Sequence, residues 1–218
     1  MVRTTETAPA GFMPRSPERR VVFHNLTWQS YITIQDALGK NRSSRLTYDR
    51  GTLEITMPLE EHEFAKELIG LFIRILVEEL GLRIKSMGST TLNYPDLDRG
   101  AEPDNAYYIQ NQSRVAGRTV DLAIDPPPDL VVEVDITSTD IDKLALYANM
   151  GISEFWRYNG QVLRIYQLEG QSYVEMETSP TFPAIPKSRF YEFLAQAKTD
   201  EVGASKTLRA WVHQQISL

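Results

Sequence analysis

Residues 129–149, DLVVEVDITSTDIDKLALYAN, constrain the fold more than any other stretch of the chain. The opening run is apolar enough to be a buried strand, yet it carries two carboxylates, Glu133 and Asp135. Side chains alternate along a strand, so Val131, Glu133 and Asp135 share one face. Burying an ionised pair there is costly unless it is paired or holds a metal ion. The pattern marks either a site or an edge strand with one wet face. A polar turn, Thr137-Ser138-Thr139, leads into a helical pattern over 139–150 that contains Lys143 and is closed by Gly151.

The surrounding chain reads as alternating strands and helices. Asp125-Pro126-Pro127-Pro128 forces the central strand to begin after Pro128, because proline cannot donate to a ladder. Upstream, 27–38 reads as a short helix capped by Thr27, and 45–57 as a hairpin turning at Arg50-Gly51. The longest helical pattern runs over 59–80, with Phe64, Leu68, Phe72, Ile75 and Leu76 at helical spacing and Gly81 as its stop. Glu63, Glu67, Gly70 and Arg74 line a more polar face. Strands are expected at 83–86, 90–94, 106–109, 154–158, 162–168 and 173–177, a loop at 111–117, and helices near 188–197 and 205–215. The first 20 residues, with three prolines, read as an arm ahead of one domain over 21–218. Arg15, Arg19 and Arg20 of that arm suit a solvated tail or contact with phosphate.

Composition removes several classes. There is no cysteine, so disulfides and thiolate zinc sites are excluded. No apolar run approaches the roughly 18 residues of a membrane span, and the first 20 residues lack the apolar core of a secretory signal. A cytoplasmic location is expected. The net charge of -6 argues against an indiscriminate nucleic-acid binder, but leaves room for a local basic patch. His24, His62 and His213 lack metal-ligand spacing, and neither a phosphate-binding glycine loop nor a Gly-x-Ser-x-Gly elbow is present.

Three Pro-Asp pairs compete to complete a site with Glu133. Asp129 shares its strand, four residues away or roughly 13 Å, too far to grip one ion held at about 2.0–2.6 Å. Asp96 sits in what reads as a turn, with Arg99-Gly100 beyond it. Asp104 precedes an apolar run 29 positions before Glu133, compatible with a neighbouring strand. Asp104 is the best partner.

Pro103-Asp104 followed by Glu133-Val134-Asp135 resembles the PD-(D/E)XK nuclease signature. Together with Pro128-Asp129-Leu130-Val131-Val132-Glu133-Val134, Lys143, Tyr147, Gly151, Glu154 and Trp156, the ordered set over about 25–170 resembles the Uma-two family of restriction-endonuclease-like proteins. The resemblance implies an α/β (α+β) restriction-endonuclease-like core, a mixed β-sheet flanked by helices. It implies Mg²⁺ or Mn²⁺ held by Asp104 and Glu133, with the Val134 carbonyl as a third ligand, and hydrolysis of DNA. Asp135 stands where the signature usually has lysine, and Lys143 is the apparent replacement. Thr137, Ser138 or Thr139 would cap its helix and place Lys143 in the first turns. Asp135 is then a further metal ligand or a partner of Lys143. His62 matches a histidine of the family pattern, and Glu63 resembles the helix glutamate of related nucleases.

Each residue also has a plainer reading. Lys143 would be a surface residue paired with Asp140, His62 and Glu63 a solvated first turn, and Tyr147, Phe155 and Trp156 core. Two functions follow. One is a metal-dependent DNA endonuclease using Asp104, Glu133 and Lys143, in which a homodimer would let paired sites cut both strands. The other is a non-catalytic module on the same fold that binds nucleic acid or protein.

Overall fold

The computed structural model describes residues 19–39, 42–136 and 138–216; most of the expected arm, with Arg15, and the candidate cap Thr137 lie outside them. The hairpin forms as its alternation predicts: β2 (Arg45–Asp49) and β3 (Thr52–Met57) pair antiparallel around Arg50 and Gly51, both at positive φ. Arg19 and Arg20, expected to close the arm, instead open a strand, β1 (Arg19–Phe23), on the free edge of β3. On the other side, β2 pairs with β6 (Arg99–Ala101), and β6 with β5 (Leu92–Tyr94), after a 3₁₀ turn at Pro95–Leu97. The expected turn around Asp96 forms there, and Arg99-Gly100 just beyond it is strand, because β2 and β5 supply partners on both edges. The result is a five-stranded sheet in the order β1-β3-β2-β6-β5.

One helix, α1 (Trp28–Leu38), closes this sheet. Thr27 caps it, its hydroxyl accepting from the Ser30 amide at 3.1 Å. Tyr31 buries its ring against Tyr48 of β2, with centroids 4.9 Å apart, beside Leu46 and Leu53. The packing leaves no room at Gly100: an added Cβ would sit 2.6 Å from both the Tyr31 hydroxyl and the Asn93 side-chain oxygen. Gly100→Ala should destabilise the protein by about 1–3 kcal/mol, the usual cost of overpacking, read as a lower urea midpoint. An unchanged midpoint would show that Tyr31 can move aside freely.

The second sheet carries the central strand. Its six strands run in the order β11-β10-β9-β8-β7-β4, namely β4 (Lys85–Gly88), β7 (Asn105–Tyr108), β8 (Leu130–Val134), β9 (Glu154–Tyr158), β10 (Leu163–Glu169) and β11 (Ser172–Met176). All neighbours are antiparallel except β8 and β9. Their parallel pairing requires a crossover, which includes α4 (Lys143–Asn149). Every residue of β8 is buried, so the edge-strand reading of Glu133 is excluded.

The two faces of this sheet have different partners. Leu130, Val132 and Val134 pack with α2 (Glu60–Glu79), α5 (Lys187–Ala197) and α6 (Glu201–Ile216), through Phe72, Ile75, Phe190, Phe193 and Leu208. Val131, on the opposite face, packs with Leu146 and Tyr147 of α4, with Phe155 and Tyr166, and with Leu92 and Ala101 of the small sheet. The expected loop at 111–117 contains a short helix, α3 (Gln112–Val115). Asp129 is held locally, its carboxylate accepting from the amides of Ile109 at 2.6 Å and Asn111 at 2.9 Å. No helix among the described residues is long and apolar enough to cross a membrane.

Candidate active site

Strand pairing brings the separated carboxylates together. Asn105 of β7 lies opposite Val132 of β8, so the chain entering β7 delivers Asp104 beside the end of β8. There the Val134 amide donates to Asp104 Oδ2 at 2.8 Å. His62, in the first turns of α2, places Nε2 3.2 Å from the same oxygen. Asp104, Glu133, Asp135 and Lys143 are 2%, 4%, 6% and 7% exposed, yet all line one cleft. His62, Val134, Glu102, Arg20, Arg45, Thr47 and Thr56 complete most of its wall.

Lys143 is not a surface residue. Its ammonium donates to Glu133 Oε2 at 2.9 Å and to Asp135 Oδ1 at 2.7 Å. Asp135 Oδ2 accepts from Arg157 Nε at 2.8 Å, so both Asp135 oxygens are taken by cations. The start of α4 explains this placement and corrects the expected one. The Thr139 hydroxyl bonds to Glu54 and accepts from the Ile141 amide, so it does not cap the helix. Asp142 does, accepting from the Ala145 amide at 3.1 Å, and α4 begins at Lys143 itself. The first helical residue lies nearest the strand end, within reach of both carboxylates.

Electrostatics separates the two acids of β8. Burial, reinforced by the Asp104 and Asp135 charges, outweighs Lys143 and pushes the Glu133 carboxyl up to about 7. Lys143 and Arg157 overcome burial at Asp135 and hold its carboxyl below the usual range. The same two carboxylates overcome burial at Lys143 and hold its ammonium well above the ordinary lysine range. Lys143 is thus a fixed cation at neutral pH. It cannot serve as a base, but an ammonium has three donors and two are used here.

Of the residues singled out from sequence, Asp104, Glu133, Val134, Asp135, Lys143 and His62 meet at this cleft. Glu63 does not line it. It is half-exposed and bonds Lys66 at 2.7 Å, with Arg45 a looser 3.5 Å away.

Tyr147, Arg157 and Arg45 are contributors that the sequence does not point to directly. From sequence Tyr147 reads as core, but its hydroxyl donates to Glu133 Oε1. The signal was its spacing: four residues after Lys143, it shares that helix face. Arg157 lies opposite Glu133 in the parallel register and reaches Asp135. Arg45 comes from the small sheet, as does Arg20, the arm residue suited to phosphate contact, and strand pairing brings both to the cleft.

The donor chemistry suits a hard divalent cation. The cleft offers carboxylate oxygens and no thiolate, and Asp104 Oδ1 accepts no hydrogen bond among the described residues. No three histidine or carboxylate groups among the described residues converge as a closed cage. Mg²⁺ is commonly held by one or two carboxylates together with water and substrate phosphate. Asp104 and Glu133 fit that role. Asp135, with a cation on each oxygen, fits the role of anchoring Lys143, whereas Glu133 meets one cation and one hydroxyl.

Residues 28–194 match the family Uma2, described as "Putative restriction endonuclease". Among solved structures, the fold is similar to that of a "putative nuclease belonging to DUF820" from Anabaena variabilis ATCC 29413. The TM-score is 0.51 at 15% identity, covering 86% of this chain and 99% of that one. At that identity the likeness speaks for the fold alone. No curated protein matches the chain.

Proposed function

The chain belongs to the Uma2 family, and from that premise we propose that it is a Mg²⁺- or Mn²⁺-dependent endonuclease that hydrolyses phosphodiester bonds in DNA. One observation carries the reading: Asp104, just ahead of β7, and Glu133 of the adjoining β8 meet at a cleft beside a lysine that is held charged. A bound divalent ion would supply Lewis-acid polarisation of the phosphate and a more acidic water.

The chain's own residues supply the rest. Asp104 and Glu133 would hold the ion. The Val134 amide and His62 fix the Asp104 carboxylate, and Tyr147 and Lys143 fix that of Glu133. Such orienting partners keep ligands in place and commonly tune metal affinity or activity by about 10–100-fold. Asp135 and Glu133 clamp Lys143 so that its remaining donor can meet negative charge developing on phosphate. In the reaction a water oxygen bonds to phosphorus and gives up a proton, the ester P–O bond breaks, and the departing oxygen takes up a proton. A homodimer would let two such clefts cut both strands of a duplex.

The test has two parts. Calorimetric titration of Mg²⁺ and Mn²⁺ into the wild type and Asp104→Asn should show binding that the variant loses. Plasmid and oligonucleotide DNA should then be cut in the presence of either ion and not with chelator. Tight DNA binding with neither ion binding nor cleavage would favour the non-catalytic module instead. Tyr147→Phe removes one hydrogen bond from Glu133 and adds no bulk, so we expect cleavage to fall by about 10–100-fold with the fold intact. Wild-type cleavage rates in that variant would leave Tyr147 a core residue only.

A further inference from the structure

The proposed function, on which this inference rests, does not say what holds the DNA backbone against the carboxylates. The small sheet does. Arg20 of β1 lies opposite Thr56 of β3, and Arg45 of β2 lies opposite the same threonine. Neighbouring strands are about 5 Å apart, so the two arginine stems flank the Thr56 hydroxyl across about 10 Å. Arg20, Thr56 and Arg45 all line the cleft that Asp104, Glu133 and Lys143 line.

Arg45 has more donors than the protein uses. Its Nε is buried without a hydrogen-bond partner among the described residues. Its ion pair with Glu63 spans 3.5 Å, and Glu63 is held more closely by Lys66. Arg20 stays oriented by Glu54 at 3.4 Å, a carboxylate that also bonds Thr139 in the loop between β8 and α4. A guanidinium with unused donors, directed into a cleft, fits the paired oxygens of a phosphate.

We propose that Arg20, Thr56 and Arg45 form a phosphate clamp that seats the DNA backbone over the Asp104–Glu133 pair. Backbone contacts carry register and affinity but no sequence information, so the clamp acts on all sequences alike.

Labelled duplex binding, followed by anisotropy in the cleavage-deficient Asp104→Asn background, tests the clamp. Arg45→Gln and Arg20→Gln should each weaken binding on the order of tenfold, equally for two unrelated sequences. Each should flatten the plot of log affinity against log salt by roughly 0.9. Thr56→Val, which keeps shape and β propensity, should also weaken binding, and Arg45→Lys should keep the salt slope while losing part of the affinity. Mg²⁺ titration into the same four variants without the Asp104 change should match the wild type. Full affinity with an unchanged salt slope in both arginine variants would overturn the clamp alone. A parent that binds no duplex at all would overturn the clamp and the nuclease reading together.

Discussion

Glu133→Gln and Asp104→Asn should each lower DNA cleavage by about 10³-fold, the scale on which loss of one preorganised charge-stabilising group is usually felt. Neither should cost the fold. Asn at 104 keeps an oxygen to accept from the Val134 amide. At Glu133 the argument is stronger, because burial already pushes the carboxyl up to about 7 from an ordinary 4.5. An acid whose folded value is raised binds its proton more tightly folded than unfolded. Stability therefore falls as pH rises from about 4.5 to about 7, and is unaffected below that window. Glutamine has no charge to lose, so relative to the wild type Glu133→Gln should gain up to about 3 kcal/mol across that window. Urea unfolding at both ends of the window, with cleavage assayed alongside, checks both halves. Equal losses of activity and stability would mean that Glu133 is structural. Retained cleavage in both variants would remove the proposed metal pair.

The same physics explains which parts of the site could be read from sequence. Glu133 and Asp135 stood out because two carboxylates interrupt an apolar strand, and Asp104 followed because one ion needs a second donor from a neighbouring strand. Those inferences use local pattern and strand spacing. The helices and most strands were legible for the same reason, down to the Thr27 cap and the 45–57 hairpin. What stayed hidden depends on pairing between distant segments. Arg20 reaches the cleft only because β1 adds to the edge of β3, and nothing near residue 20 announces that strand. Arg157 meets Asp135 through the parallel register of β8 and β9. The start of α4 was misplaced because Thr139 has a better partner in Glu54, 85 residues away in sequence. Three-residue β6 exists only because strands flank it on both sides.

Removing Lys143 should produce the largest loss of stability in the molecule. Its ammonium is buried between Glu133 and Asp135, and Arg157 meets only the far oxygen of Asp135. Lys143→Met fills similar space but leaves two buried carboxylates facing each other with one cation between three acids, counting Asp104. Breaking a buried pair by deleting one member costs about 3–5 kcal/mol, because the remaining charge is uncompensated. The pH dependence identifies that mechanism. In the wild type, Asp135 is held below its ordinary value of 3.8, a stabilising term present above that pH and lost as pH falls. Without Lys143 that term shrinks, and Glu133 is pushed up further because its largest opposing influence is gone. The folded variant then holds protons that the unfolded chain releases, so its deficit should be small near pH 4 and widen toward neutrality. Urea denaturation at acidic and neutral pH measures this directly. Lys143→Arg, which keeps the charge in a larger planar group, should fall between the two. A deficit in Lys143→Met that is the same at every pH would mean that packing of the lysine stem, rather than its charge, holds the strand end together.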